Sequence, residues 1–193
     1  MSLMFTTFRN NAFEVEKPLD RRVCDCCQTS MAATANGLFV AYRDRLPTEV
    51  RDISFVRFSE GEWTQPRTLH DDGWEINACP VNGPAVSADG SNVVVAWYTH
   101  LDRRGSVRVL FSQDEGTTFG PMIEVDDGNA LGRVDVEWDH DGSALVVWLK
   151  RGTGRDGTIL ARRVRSDGVM ETPFVVAQTQ NSRTSGFPRM IRS

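Results

Sequence analysis

Long hydrophobic runs are missing from this 193-residue chain. No stretch approaches the roughly 18 apolar residues of a membrane-spanning helix, so none is expected. Positive charge is also scarce. Twenty-two Lys and Arg against 26 Asp and Glu leave a net charge of -4, the reverse of the basic surface a general nucleic-acid binder needs. Helical periodicity is nearly absent, and no phosphate-cradling glycine loop is present, the glycines standing at turns instead. His70, His100 and His140 have no helical HExxH setting. Met1 to Asn11 lack a basic stretch followed by an apolar core and a small-residue cleavage site, so no signal peptide is expected and localisation stays open. What remains is ordinary for a globular domain, with 40% hydrophobic and 25% charged residues.

What is present is repetition. Apolar residues come in short runs rich in Val, Ile, Phe and Trp, bounded by Gly, Asp, Ser or Pro, which reads as strands. The clearest runs are Leu38 to Tyr42, Val93 to Tyr98 and Leu145 to Leu149, with Tyr42, Trp97 and Trp148 spaced by 55 and 51 residues. A second set keeps nearly that period: Ile53 to Phe58, Val107 to Phe111 and Thr158 to Val164. A third opens at Pro66, Pro121 and Pro173, proline being tolerated at the start of a strand. Shorter strands are expected ahead of each central run, around Thr29 to Ala33, Pro84 to Ser87 and Val134 to Trp138. Turns follow them at Asn36-Gly37, Asp89-Gly90 and Asp141-Gly142, the last preceded by His140.

Units of four antiparallel strands, each about 50 residues long, match a propeller blade. The expected fold class is therefore all-β, a propeller of such blades over residues 24–70, 80–126 and 133–178 of a single domain. A sandwich of twelve short strands is the alternative, but it needs no such period. Phe5 to Phe8 and Ala12 to Val15 read as outer strands of a preceding blade within residues 1–20. Ser185 to Met190 read as the first strand of a following one, within 185–193. Closed propellers use about 4–8 blades, so the expectation is a partial propeller, completed by oligomerisation or by blades of a longer chain.

Ser112-Gln113-Asp114-Glu115-Gly116-Thr117-Thr118-Phe119 matches the Asp-box pattern Ser-x-Asp-x-Gly-x-Thr-Phe/Trp. Shortened versions stand in register at Ser59 to Trp63 and Ser166 to Gly168. Asp114 is expected to accept backbone N–H bonds across the turn, Gly116 to supply an unusual dihedral and Phe119 to pack beneath the hairpin. With these residues the chain resembles the sialidase-like, Asp-box (BNR-repeat) propeller superfamily over nearly its whole length. The resemblance implies Asp boxes at the outer edge of the blades, in a superfamily that holds exo-sialidases, other glycoside hydrolases and non-enzymatic propellers. Its sialidases use three arginines, a Tyr nucleophile assisted by Glu, and an Asp acid/base. Their Phe/Tyr-Arg-Ile-Pro stretch is absent here, and neither Tyr42 nor Tyr98 matches the nucleophile.

Polar residues concentrate where strands end. Arg43-Asp44 closes one central strand and Arg51-Asp52 opens the next, so a hairpin brings them together, either as structural pairs or as a site for an anion or a glycan carboxylate. Arg133 and Arg189 are further binding candidates. Asp44, Asp52 and Glu137 are the carboxylates to consider for acid/base work. In the linker from His70 to Pro84, Trp74 and Asn77 suit a sugar platform, while Trp74 equally suits a core cap. Expected partners are thus a carbohydrate and further propeller blades, with hydrolysis of a glycan or acidic sugar one reading and a purely binding or assembly propeller the other.

Cysteine is limited to four residues: Cys24, Cys26, Cys27 and, one period later, Cys79. Cys27 and Cys79 are expected to meet at neighbouring blades, as a disulfide worth roughly 2–4 kcal/mol that would favour an extracytoplasmic parent. Free structural thiols, a metal site of all four and, last, a redox role are the alternatives; the spacing departs from structural zinc, while soft copper is chemically possible. No cofactor is otherwise expected.

Overall fold

The computed structural model describes residues 1–139, 141–182 and 187–191. His140 of the expected third turn, and Ser185 and Gly186 of the expected final strand, lie outside the described residues. Every regular element is a strand. The N-terminal segment forms a ladder between β1 (Leu3–Phe5) and β4 (Lys17–Asp20), enclosing a small hairpin of β2 (Phe8–Arg9) and β3 (Ala12–Phe13). Parts of the two expected strands thus pair with each other, Phe8 opposite Phe13, while β1 pairs with β4.

Three antiparallel sheets follow. The first runs β5 (Ser30–Ala33), β6 (Gly37–Arg43), β7 (Ile53–Ser59) and β8 (Glu62–Trp63), with β9 (Arg67–Thr68) also on β7. The second runs β10 (Ala85–Asp89), β11 (Asn92–Leu101), β12 (Arg104–Ser112) and β13 (Ile123–Glu124). The third runs β14 (Ala130–Trp138), β15 (Ser143–Arg151), β16 (Asp156–Arg165) and β17 (Phe174–Gln180). Within each sheet the strands lie in chain order, as consecutive hairpins require.

The sheets stack face to face, which explains why the central strands read as unbroken apolar runs. Side chains alternate across a strand, and in β11 both faces are covered. Val93, Val95 and Trp97 pack with Phe39, Ala41, Ile53 and Phe55 of the first sheet. Val94, Ala96 and Tyr98 pack with Val134, Val136, Trp138 and Trp148 of the third. Burying each large side chain contributes about 1.5–3 kcal/mol, so the two interfaces hold the array together.

Hydrogen bonds stitch each inner strand to the next. Ser30 Oγ accepts from Val86 N–H at 3.0 Å, Ser87 Oγ from Trp138 N–H at 3.0 Å, and Asp135 Oδ2 from Met190 N–H at 2.7 Å. A side-chain oxygen accepting a backbone N–H about one period later thus recurs from one inner segment to the next. The described part of the expected final strand, 187–191, follows this stitch without forming a ladder.

One turn differs from the simple hairpin expectation. Gly90 and Gly142 have positive φ, at 59° and 79°, as their turns require. Gly37 does not; a Cβ there would lie 1.8 Å from the Phe58 carbonyl oxygen, so glycine is needed for close strand approach. In the third sheet β14 starts at Ala130, four residues before the expected Val134. Its register shifts around Gly132, where Gly132 and Arg133 both have positive φ. Such a bulge hides strand periodicity.

Candidate functional site

The polar cluster at the end of β6 is built into the fold. Arg43 is 1% exposed. Its guanidinium donates to the carbonyls of Asn82 at 2.6 Å, Arg51 at 2.5 Å and Tyr98 at 2.6 Å, and lies 4.8 Å from the Trp74 ring centroid. Five donors in a rigid fork suit this task, which leaves Arg43 facing protein carbonyls and not the solvent where a ligand would arrive. Arg51 is also buried; it donates to Glu49 Oε2 at 2.8 Å and to Cys24 Sγ at 3.5 Å. Arg43 thus serves backbone carbonyls and Arg51 pairs with Glu49, neither guanidinium being seen on the aspartate beside it among the described contacts.

Of the carboxylates named from sequence, Asp44 and Asp52 are neighbours, the Asp44 N–H donating to the Asp52 carbonyl at 2.9 Å, and Glu137 lies apart from them. Asp52 accepts the backbone N–H groups of Gly73 and Trp74 at 2.8 and 3.0 Å, closing the 70–84 linker onto β7. Asp44 accepts from Arg45 N–H at 2.6 Å. Burial raises the pKa of both. Glu137 lies at the other end of β14, accepting from Ser87 Oγ at 2.9 Å. Arg189 reaches Asp135 at 3.5 Å, and Asn77 is exposed outside the cleft described next.

A cleft of about 350 Å³ opens where the 70–84 linker meets the second and third sheets, at the lower end of the size range of ligand sites. Trp74, Asn82, Tyr98, His100, Arg133 and Arg151 supply its aromatic and polar wall. Trp74 is 6% exposed, edge-on to Tyr98 with centroids 5.5 Å apart and 6.4 Å from His100. It therefore serves as a core cap whose rim reaches the cleft, and not as an open platform. Arg133 donates to the Val81 carbonyl, with its guanidinium 4.3 Å from the Phe187 ring centroid. Asn82 Oδ1 accepts the Arg133 N–H at 2.9 Å and Asn82 Nδ2 donates to Leu131 at 3.1 Å, joining two walls. A larger apolar cleft of about 630 Å³, between the N-terminal segment and the first sheet, is lined by Phe5, Phe8, Leu38, Val40 and Trp63 and lacks such convergent polar groups.

Asn82 and Arg151 were not named from sequence, and Tyr98 and His100 were named there without a site role, yet the period links His100 and Arg151. His100 and Arg151 are 51 residues apart, the spacing of Trp97 and Trp148, and so occupy equivalent strand ends. Asp72 was missed as well. Its side chain is fully buried and accepts from Trp97 Nε1 at 2.7 Å, from His70 Nδ1 at 2.8 Å and from Arg108 Nη1.

The turn from Ser112 to Phe119 forms the bonds its sequence predicts. Asp114 Oδ1 accepts Thr118 N–H at 2.8 Å and Oδ2 accepts Thr118 Oγ1–H at 2.7 Å, while Ser112 Oγ accepts Gly116 N–H at 2.9 Å. These bonds lower the Asp114 pKa to about 2. Gly116 has φ of 78°, and Phe119 meets Phe39 and Phe55 edge-on.

The disulfide joins Cys26 to Cys79, with Cα atoms 6.1 Å apart, and not Cys27 to Cys79. Neighbouring residues project differently, so a one-period spacing selects the pair of segments but not which adjacent thiol bonds. Cys24 and Cys27 are thiols with their sulfurs 2.7 Å apart. The sulfurs of Cys24, Cys26 and Cys27 lie within 4.8 Å of one another, but with Cys26 in the disulfide only two of them are thiols, short of the four-cysteine metal site considered from sequence.

The chain matches no family model and no curated protein. Among solved structures, the Hadza microbial sialidase Hz136 superposes with a TM-score of 0.55 and 18% identity over 79% of this chain. The Bombyx mori GH32 beta-fructofuranosidase BmSUC1 superposes with a TM-score of 0.51 and 12% identity over 82%. The fold is all-β and propeller-like. This propeller array spans 37% of the length of each of those two chains.

Proposed function

We propose that this chain is part of a sialidase-like, Asp-box propeller that binds a glycan, with preference for an acidic sugar, in the cleft between the linker and the second and third sheets. The carrying observation is the convergence of Arg151, His100, Tyr98 and Trp74 on one concave surface, with Arg133 at its base. Aromatic side chains in the wall suit the apolar face of a sugar ring, and an exposed guanidinium suits its carboxylate. The Ser112 to Phe119 turn supports the superfamily reading, since it makes the bonds an Asp box needs.

Binding is favoured over hydrolysis within this chain. A sialidase-type reaction needs a Glu beside its Tyr nucleophile and an Asp acid/base, whereas none of the described residues lining the cleft, Tyr98 among them, is Asp or Glu. The test is calorimetric titration with N-acetylneuraminic acid against a neutral hexose. Saturable heat for the acidic sugar alone, lost in Arg151→Ala at unchanged melting temperature, supports the reading. Equal or no heat from both sugars overturns the acidic preference, and unaltered binding by Arg151→Ala overturns the site.

A further inference from the structure

Four sulfurs gather at the foot of the linker that walls the cleft, and the glycan reading uses none of them. Cys26 is bonded to Cys79. Cys24 Sγ lies 3.7 Å from Cys26 Sγ and 2.7 Å from Cys27 Sγ, against about 2.0 Å for a formed disulfide. One sulfur therefore touches both a bonded sulfur and a thiol with which it can pair. Cys24 is buried, whereas Cys79 is exposed to solvent.

We propose that these four cysteines form a thiol–disulfide exchange unit, in which the oxidised pair shifts between Cys26–Cys79 and Cys24–Cys27. In the first step the Cys24 thiolate attacks Cys26 Sγ. The Cys24–Cys26 bond forms, the Cys26–Cys79 bond breaks, and Cys79 leaves as a thiolate with the electron pair. Cys27 then loses its proton to that thiolate through solvent and attacks Cys24 Sγ. The Cys24–Cys27 bond forms and Cys26 leaves as a thiolate. One disulfide and two thiol groups stand on each side, so no external oxidant or reductant takes part.

The surroundings favour the attacking group. Donation from Cys27, with the Arg51 guanidinium at 3.5 Å from Cys24 Sγ, lowers the Cys24 pKa to about 5 against the opposing effect of burial. The bond to Cys24 and burial push the Cys27 thiol up. Thiolate character on one sulfur and a retained proton on its neighbour is the polarity that exchange needs. A resident metal is less suited while Cys26–Cys79 is closed, because Arg51 already places a cation against the remaining thiols.

Exchange has a structural consequence. Cys79 lies in the linker that carries Trp74, Pro80 and Asn82 to the cleft. With the oxidised pair at Cys24–Cys27, the linker loses its covalent tie to the first sheet, so the exchange acts on the cleft wall.

The test uses the full chain purified without reductant. It is held at neutral pH, quenched with acid to protonate Cys24, alkylated with N-ethylmaleimide and mapped by peptide mass spectrometry. The expected result is two populations, one labelled at Cys24 and Cys27 and a minor one, of about 0.1–10%, labelled at Cys26 and Cys79. In Cys24→Ser the second population is expected to vanish, leaving label on Cys27 alone. Label confined to Cys24 and Cys27 in the wild type overturns the proposal. So does a chain with no labelled cysteine, or one labelled at all four with a metal ion released on quenching. The wild-type partition decides the matter even if the variant does not fold.

Discussion

Arg43 shows how far a residue's surroundings decide its role. A guanidinium following a strand reads as an anion ligand or as a loop closure, and its three backbone carbonyl partners make it the second. Arg43→Ala leaves those buried acceptors without their donor, which predicts a loss of at least about 3 kcal/mol in urea unfolding. Arg43→Lys should recover only part of this, because an ammonium cannot reproduce the planar fork. An unchanged unfolding midpoint in both would contradict the clamp. Asp114 is the opposite case, legible from its turn motif alone. Its folded-state pKa is depressed to about 2 by Thr118 and Ser112. Its contribution is therefore complete above the unfolded carboxylate range near 4 and is lost as pH falls through about 2. Asp114→Asn should cost less than about 1 kcal/mol, since the group is solvent-screened. The difference from wild type should disappear on acidification, as followed by chemical unfolding at a series of pH values.

At the scale of elements, the 70–84 linker is held from several directions. Asp52 caps Gly73 and Trp74, Arg51 N–H bonds the Trp74 carbonyl at 2.9 Å, and the disulfide ties Cys79 to Cys26. Those cysteines are 53 residues apart, so loop-closure entropy alone allows up to about 4 kcal/mol of stabilisation. Cys79→Ser is expected to lower stability by about 2–4 kcal/mol and to weaken sugar binding, read by thermal unfolding and calorimetry on one preparation. Retained binding despite lost stability would show that the linker keeps its shape without the bond. A second element-scale constraint is the contact of β6 with β7 at Gly37. Gly37→Ala must displace the Phe58 carbonyl, and a loss of about 1–3 kcal/mol is expected in urea unfolding.

Across the whole molecule, apolar surface lies open at both ends of the sheet series. Phe8 and Phe13 of the N-terminal hairpin are 56% and 74% exposed, and Phe174, Val175 and Val176 of β17 are each more than half exposed. Apolar sheet faces of this kind associate when unpaired. The chain by itself is therefore expected to self-associate. Light scattering coupled to size exclusion should give about 43 kDa, twice the chain mass of 21.6 kDa. A species of one chain mass would mean that these faces are satisfied only by other propeller blades, and binding assays would then need the longer assembly.

The sequence by itself determined the strand pattern and its period. Strands covered on both faces must be apolar at successive positions, and hairpins between them leave turn residues at regular intervals, as Leu38 to Tyr42, Val93 to Tyr98 and Leu145 to Leu149 display. It also determined the Ser112 to Phe119 turn, whose bonds span only a few residues. The tertiary structure decided the rest of the candidate site. Asn82, Tyr98 and Arg133 meet only after separate sheets stack, and whether an arginine faces a carbonyl or solvent depends on that stacking. The choice of Cys26 over its neighbour Cys27 likewise belongs to three dimensions. Adjacent side chains point in different directions, and only the folded backbone sets which sulfur reaches Cys79.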